Sequence, residues 1–374
     1  MDTKEEFVNL LQLLVEQETP SDRPSDFTEI MDIISRHFES LDFEVHHKEG
    51  KQTAGQLICR PQNFDSQAPV QLILGHIDTV WNRGSLQEMP FTVDGNTVSG
   101  PGVFDMKAGI AMMIFALKAI RSLGKDLDVQ PVFLITTDEE IGSKESKDII
   151  LKQAKLAERT FVLEPSLGID GKIKTERKGI GQFEIAIKGQ PSHAGLDPEK
   201  GVSAIIGLSN IVQQLVALNE PEKGISINVG TIEGGERANV VAAKSKAVVD
   251  VRVPTKEDGE AIKKSIYNID SGLEGIEISV SGDIGRPPLE KNEANEKLWQ
   301  LTKSLGEDLD LDLQEGKSGG GSDGNFTNLY SPTIDGLGAV GEGAHAYHEK
   351  IFLEETLKRA ELLTLLLSHP SVKS

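Results

Sequence analysis

The chain has 374 residues, of which 38% are apolar and 26% charged, and it carries a formal net charge of -20 at pH 7. The length exceeds the roughly 250 to 300 residues at which a single core stops growing, so two domains are expected, and the composition excludes fibrous repeats and long disorder. An excess of 59 Asp and Glu over 39 Lys and Arg would repel a polyphosphate backbone, which argues against a nucleic-acid partner.

The start, Met1-Asp2-Thr3-Lys4-Glu5-Glu6, is charged and runs into an amphipathic pattern unlike a signal peptide. No apolar stretch approaches membrane-spanning length, so no membrane partner is expected. Helices are predicted over about Lys4 to Glu16 and Asp26 to Ser40, separated by the turn-rich Thr19-Pro20-Ser21-Asp22-Arg23-Pro24. A lone Cys59, in the strand-like run Gln56 to Cys59, cannot form an internal disulfide and agrees with a reducing, cytoplasmic setting.

Short apolar runs at Val70 to Leu74, Val132 to Thr136 and Phe161 to Leu163 suit strands buried on both faces of a mostly parallel sheet. An apolar helix is expected between the first two, over Lys107 to Ser122. Together these predict an α/β domain whose sheet is sandwiched by helices.

From Lys178 the texture changes to alternation, with Gln182 to Lys188 patterned as a strand with one wet face. A helix over Ser203 to Leu218, strands over Ser226 to Glu233 and Val240 to Val253, a helix near Lys256 to Ile269 and a strand over Ile276 to Ser281 complete the order β-α-β-β-α-β. That order predicts a ferredoxin-like α+β domain inserted into the first. The expected partition is 1–177 and 287–374 for a discontinuous catalytic domain and 178–286 for the insert.

The acidic and imidazole groups fall at strand ends. His76 and Asp78 close the first apolar run, Glu139 and Glu140 follow the second, and Glu164 follows the third. Ligands of open α/β sheets bind beyond the carboxyl ends of the strands, so these segments would meet in one crevice. His76 and Asp78, two apart, would let the carboxylate accept the imidazole N–H and fix its tautomer. Gly100 to Lys107 brings Asp105 to a glycine-rich turn entering a helix. It lacks the third glycine of a dinucleotide fingerprint, so the glycines are read as bringing backbone close to a metal site; capping of the helix by Asp105 is the simpler alternative. Glu139 and Glu140 invite separate roles, one as ligand and one as proton shuttle. Late in the chain His345 follows Gly341-Glu342-Gly343, with His348 a competing ligand, and Gly316-Lys317-Ser318 fails as a phosphate loop because Leu311 stands where its first glycine should be.

Seven segments taken in order resemble one family. These are His76-Ile77-Asp78-Thr79-Val80, Gly100 to Gly109, Glu139-Glu140, Glu164-Pro165-Ser166, Pro191-Ser192-His193-Ala194-Gly195, Gly319-Gly320-Gly321-Ser322-Asp323 and Gly343-Ala344-His345. They resemble the two-zinc exopeptidases and deacylases that include glutamate carboxypeptidase, acetylornithine deacetylase and succinyl-diaminopimelate desuccinylase.

The resemblance implies two Zn2+, with Co2+ or Mn2+ as substitutes: Asp105 would bridge, His76 and Glu164 would complete one ion, and Glu140 and His345 the other. It implies Glu139 as general base, Asp78 as orienter of His76, and His193 as an oxyanion donor contributed to a partner subunit's site in a homodimer built through the insert, which would also act as a lid. Asn239 and Arg252 would clamp a substrate carboxylate, and Gly320 and Gly321 would line the substrate wall with backbone.

Glu164, where aminopeptidase relatives tend to carry Asp, favours a carboxypeptidase-like enzyme acting on a small peptide or N-acyl amino acid. An N-acyl amino acid deacylase or a dipeptidase would use the same metals. The rival from another class is a non-catalytic binding protein retaining the fold, which a purified protein unable to take up zinc or cobalt would favour.

Overall fold

The apolar runs of the first half become strands whose two faces are both covered. In the computed structural model, which describes residues 3–371, strands β1 (Phe43–Lys48), β2 (Gln56–Pro61), β3 (Val70–His76), β4 (Gln130–Thr136) and β5 (Ala157–Val162) join the short strand Thr333–Ile334 in one sheet. Its order is β1-β2-β4-β3-β5 and then Thr333–Ile334. The central pairs β3–β4 and β3–β5 are parallel, while β2 runs antiparallel to both of its neighbours.

Successive strand side chains point to opposite faces, and both sets are apolar here. Ile73, Phe133 and Phe161 enter a core with helices α1 (Thr3–Val15), α2 (Thr28–Glu39) and α3 (Ala108–Ser122) and with the C-terminal helix Leu353–Ser368. Leu72, Leu74, Leu134 and Val162 enter a second core with Ile149 and Ile150 of helix α4 (Lys147–Ala154) and with Phe326. A helix–sheet–helix sandwich follows. Helix α3 is apolar almost all round, and all but a few of its residues are buried, as a helix covered on every side requires. Cys59 lies fully buried in β2, its thiol pushed up by burial.

The chain divides into two compact units: one holds residues up to Glu176, Lys291–Ser318 and Ser322 onward, the other Arg177–Glu290 and Gly319–Gly321. The second contains β6 (Gly179–Lys188), α5 (Ala204–Ala217), β7 (Ser226–Gly234), β8 (Lys244–Val253), α6 (Lys256–Tyr267) and β9 (Glu277–Arg286). Its antiparallel sheet has the order β7-β8-β6-β9, which is that of a ferredoxin-like split βαβ unit. Phe183, Ile185 and Ile187 pack with Val249, Val251, Leu208, Ile211 and Ile262, while the alternate residues of β6 stay wetter.

Strand β8 begins at Lys244, later than the expected Val240. Lys244 pairs with Lys188, the last residue of β6, so earlier residues have no strand to pair with there. The chain instead turns, with Val241 N–H donating to the Ser192 carbonyl and Val240 bridging His193. Among the described residues no helix is long and apolar enough to cross a membrane.

Candidate metal centre

The register of the parallel strands sets the site. His76, the last residue of β3, pairs with Thr136, the last of β4, and Leu74 pairs with Val162 at the end of β5. The residues that follow, Thr137 to Glu140 and Leu163-Glu164, therefore leave the sheet beside His76.

Two donor sets share one carboxylate. His76, Asp105 and Glu164 form the first and Asp105, Glu140 and His345 the second, with ligand atoms in each set within 4.8 Å of one another. His76 Nε2 lies 3.3 Å from Asp105 Oδ1 and 3.5 Å from Glu164 Oε1. His345 Nε2 lies 3.3 Å from Asp105 Oδ2 and 3.2 Å from Glu140 Oε1. Each oxygen of Asp105 thus faces a different imidazole. His348 is exposed and belongs to neither set, so His345 is the histidine brought to the cluster.

Asp105 stands in the turn before α3, and its peptide with Met106 is cis. Gly102 just before it has φ +72, and a Cβ there would lie 2.6 Å from the Thr79 methyl. His345 itself adopts a left-handed φ of 61, a conformation that costs a non-glycine residue on the order of 1–3 kcal/mol and is retained chiefly where geometry serves a site.

The residues present fit a cation pair. His76 Nδ1 is 3.0 Å from the Asp78 carbonyl, which leaves Nε2 to offer its lone pair inward. Nε2 and Asp105 Oδ1 are both buried without a hydrogen-bond partner, a costly arrangement for two polar atoms unless something else satisfies them. The donor set of imidazoles and carboxylates suits zinc chemistry. Electrostatics agree: burial would raise the Asp105 carboxyl, but His345 and His76 beside it hold it well below the usual carboxylate range. Burial would lower His76, yet Asp105, Asp78 and Glu164 raise it well above its ordinary value. Asp105 and Glu140 raise His345 to about 10. Burial raises Glu140, with His345 opposing. The pocket is thus anionic enough to hold protons on its imidazoles, and a cation would compete for the same places.

Asp78 does more than orient the ring. Its carboxylate, fully buried, lies 3.4 Å from His76 Nδ1, farther than its own carbonyl. It also accepts the N–H of Glu139 at 3.2 Å, the N–H of Glu140 at 3.1 Å and the Ser21 hydroxyl at 2.8 Å. Beyond the expected orientation of the imidazole, these bonds pin the turn that carries both glutamates.

Four residues near the centre were not singled out from the sequence. Ser21 and Thr19, in the segment taken as a helix breaker, run alongside the turn after β3: Thr79 N–H donates to the Thr19 carbonyl, and Thr19 Oγ1 to the Ile77 carbonyl. Glu349 is buried against the Gly102 to Asp105 turn. Lys107, also buried, donates to the Gln17 carbonyl, and burial brings its ammonium down to about 7 against the pull of Glu349 and Glu18.

The remaining expected site residues lie in the second unit. His193 is exposed, its Nδ1 accepting the N–H groups of Gly195 and Leu196, and the Asn239 carbonyl accepts Ala194 N–H. Asn239 sits in the turn before β8, not at its start. Arg252 pairs with Asp250 at 2.8 Å, and the Gly320 and Gly321 carbonyls accept Arg177 Nη1 at 3.2 and 3.1 Å.

Comparison with known proteins bears on this geometry. The chain is 32% identical over 283 residues to carboxypeptidase G2 of a Pseudomonas species, covering 74% of this chain and 67% of that protein. It is 25% identical over 384 residues to a succinyl-diaminopimelate desuccinylase of a Caulobacter species, covering 96% and 95%. The solved structure of aminopeptidase PepT from Bacillus cereus shares the fold, with a TM-score of 0.82, 24% identity and 98% of each chain covered. Residues 72–369 match the profile of Peptidase family M20/M25/M40, and the chain belongs to that family as a metal-dependent hydrolase.

Proposed function

We propose that the protein is a carboxypeptidase-like exopeptidase that hydrolyses an amide bond in a small peptide or N-acyl amino acid, with two Zn2+ as its metals. The observation that carries this reading is the division of Asp105, whose Oδ1 faces His76 and whose Oδ2 faces His345. In this reading His76 and Glu164 complete one ion, Glu140 and His345 the other, and Co2+ or Mn2+ can substitute. When bound, a divalent pair supplies Lewis-acid polarisation of the scissile carbonyl and acidifies a water. Glu139, its backbone pinned by Asp78, takes the proton of the attacking water and returns it to the leaving nitrogen. The higher identity to a carboxypeptidase than to a desuccinylase, and Glu164 in the first donor set, favour release of a C-terminal residue.

The same reading assigns the 178–286 segment as lid and dimerisation domain. Ile205, Ile206 and Val216 on α5 and Ile232 on edge strand β7 are exposed apolar side chains of the kind a second copy would cover. His193 then serves the partner's site as an oxyanion donor, Arg252 and Asn239 grip a substrate carboxylate, and Gly320 and Gly321 line the substrate wall. A panel of N-acyl glutamate, N-acetylornithine and simple dipeptides, run on zinc-loaded protein, tests the specificity: release of a C-terminal amino acid is expected. Exclusive removal of an acetyl group would make it a deacylase.

A further inference from the structure

Glu349 lies four residues beyond His345 and is 1% exposed. Its Oε1 accepts the N–H of Phe104 at 2.9 Å and of Asp105 at 3.0 Å. Its Oε2 accepts the N–H of Gly102 at 2.9 Å and the Trp81 indole N–H at 2.7 Å. A carboxylate has about four lone-pair sites, so these donors fill it and leave nothing for a cation.

The partners of Glu349 are not an arbitrary selection. Asp105 is the shared carboxylate, Trp81 lies five residues beyond His76, and Glu349 sits on the loop that presents His345. That loop is drawn tight around it: Glu349 N–H donates to the Ala346 carbonyl, and a Cβ on Gly343 would meet the Glu349 backbone at 3.0 Å. One buried carboxylate therefore ties the loop that presents His345 to the backbone of the Gly102 to Asp105 turn and, through the Trp81 indole, to the segment that follows His76. Asp78 does the equivalent for the Glu139–Glu140 turn, so that turn and the one that carries Asp105 each hang on a buried carboxylate.

We infer that Glu349 is a positioning residue of the metal centre, an anion clamp that sets where Asp105 stands relative to His76 and His345 without itself touching a metal. This rests on the metal-centre reading above and goes beyond it by assigning a role outside the five ligands. Partners that orient ligands in this way typically cost about 10- to 100-fold in metal affinity or activity when lost. Glu349→Gln keeps the shape but replaces one acceptor oxygen with an NH2 group facing N–H donors. Trp81→Phe removes a single donor and leaves the carboxylate in place.

The test is titration of full-length metal-free protein with Zn2+ and with Co2+, following stoichiometry, affinity and the cobalt absorption spectrum. Wild-type protein is expected to take up two ions; if it takes up none, the functional reading itself fails and the inference with it. Glu349→Gln is expected to bind Co2+ about 10- to 100-fold more weakly with a changed spectrum, and to lose kcat while KM moves by less than roughly threefold. Trp81→Phe should show the same changes, but smaller. A folded Glu349→Gln protein with wild-type affinities and cobalt spectrum would overturn the inference. Should Glu349→Gln fail to fold, Trp81→Phe decides: a weakened affinity supports the clamp, and an unaltered affinity and spectrum overturn it.

Discussion

The two halves of the metal centre are built from the same chemistry in different settings. The side chain of His76 is 2% exposed and sits at the end of a strand locked in the middle of the sheet, whereas that of His345 is 51% exposed and sits on a loop in a left-handed conformation. The first set is preorganised by the sheet; the second depends on loop geometry and on buried carboxylates that hold it. The ion between His76 and Glu164 should therefore bind first and leave last. Asp105 is the shared member, so Asp105→Ala has the largest expected effect: both ions are lost together and activity falls below detection. Metal analysis of the purified variant checks it. Retention of one tightly held ion would mean the two sets are independent.

Glu139 separates chemistry from metal binding. Glu139→Ala is expected to lower kcat by about 10² to 10⁴ while leaving two ions bound, since it lies in neither donor set. Loss of metal along with rate would move Glu139 into the ligand shell.

A smaller effect is expected with pH. In the metal-free protein Asp105 and Glu140 raise His345 from 6.5 to about 10, so an incoming ion must displace a proton throughout the neutral range. Apparent zinc affinity of the exposed set should then climb as pH rises towards about 10, with protons released on binding. The stability that the protonated ring gives the metal-free fold has the opposite course: fully present below about 6.5, it is lost as pH rises through about 10. Calorimetry in buffers of different ionisation enthalpy would detect the released protons, and their absence would contradict the shift.

Most of what positions the buried half was legible. Three apolar runs with acidic or imidazole residues just past their ends, together with the rule that such ends converge, suffice to bring His76 and Glu164 of that half, and the Glu139–Glu140 pair of the other, to one crevice. Asp105 and His345 were candidates from their residues, but helix capping and His348 stayed open as alternatives until the family resemblance, because a glycine-rich turn and a late loop carry no periodicity that says which strand end they approach. The supports were harder still. Ser21 sits in a proline-broken turn whose hydroxyl finds Asp78 only through the fold, and Glu349 looks like any loop acid until its four donors are seen. The start of β8 was misplaced for a related reason: Val240 and Val241 have strand-like side chains, but strand formation needs a partner, and β6 has already ended.

The smallest effect worth measuring comes from Ser21, and it bears on how the exposed half is held. Its hydroxyl donates to Asp78 Oδ2, the oxygen that also accepts Glu140 N–H, while Oδ1 accepts Glu139 N–H and faces His76. Ser21→Ala removes one charge-assisted hydrogen bond from a buried anion, at a cost of about 1.5–3 kcal/mol. Denaturant unfolding should register that loss. Because the vacated position is on the Glu140 side, the second ion should weaken by less than about tenfold and the first hardly at all. Equal weakening of both would instead mean that Asp78 acts through the imidazole, and the distinction between a sheet-held half and a carboxylate-held half would disappear.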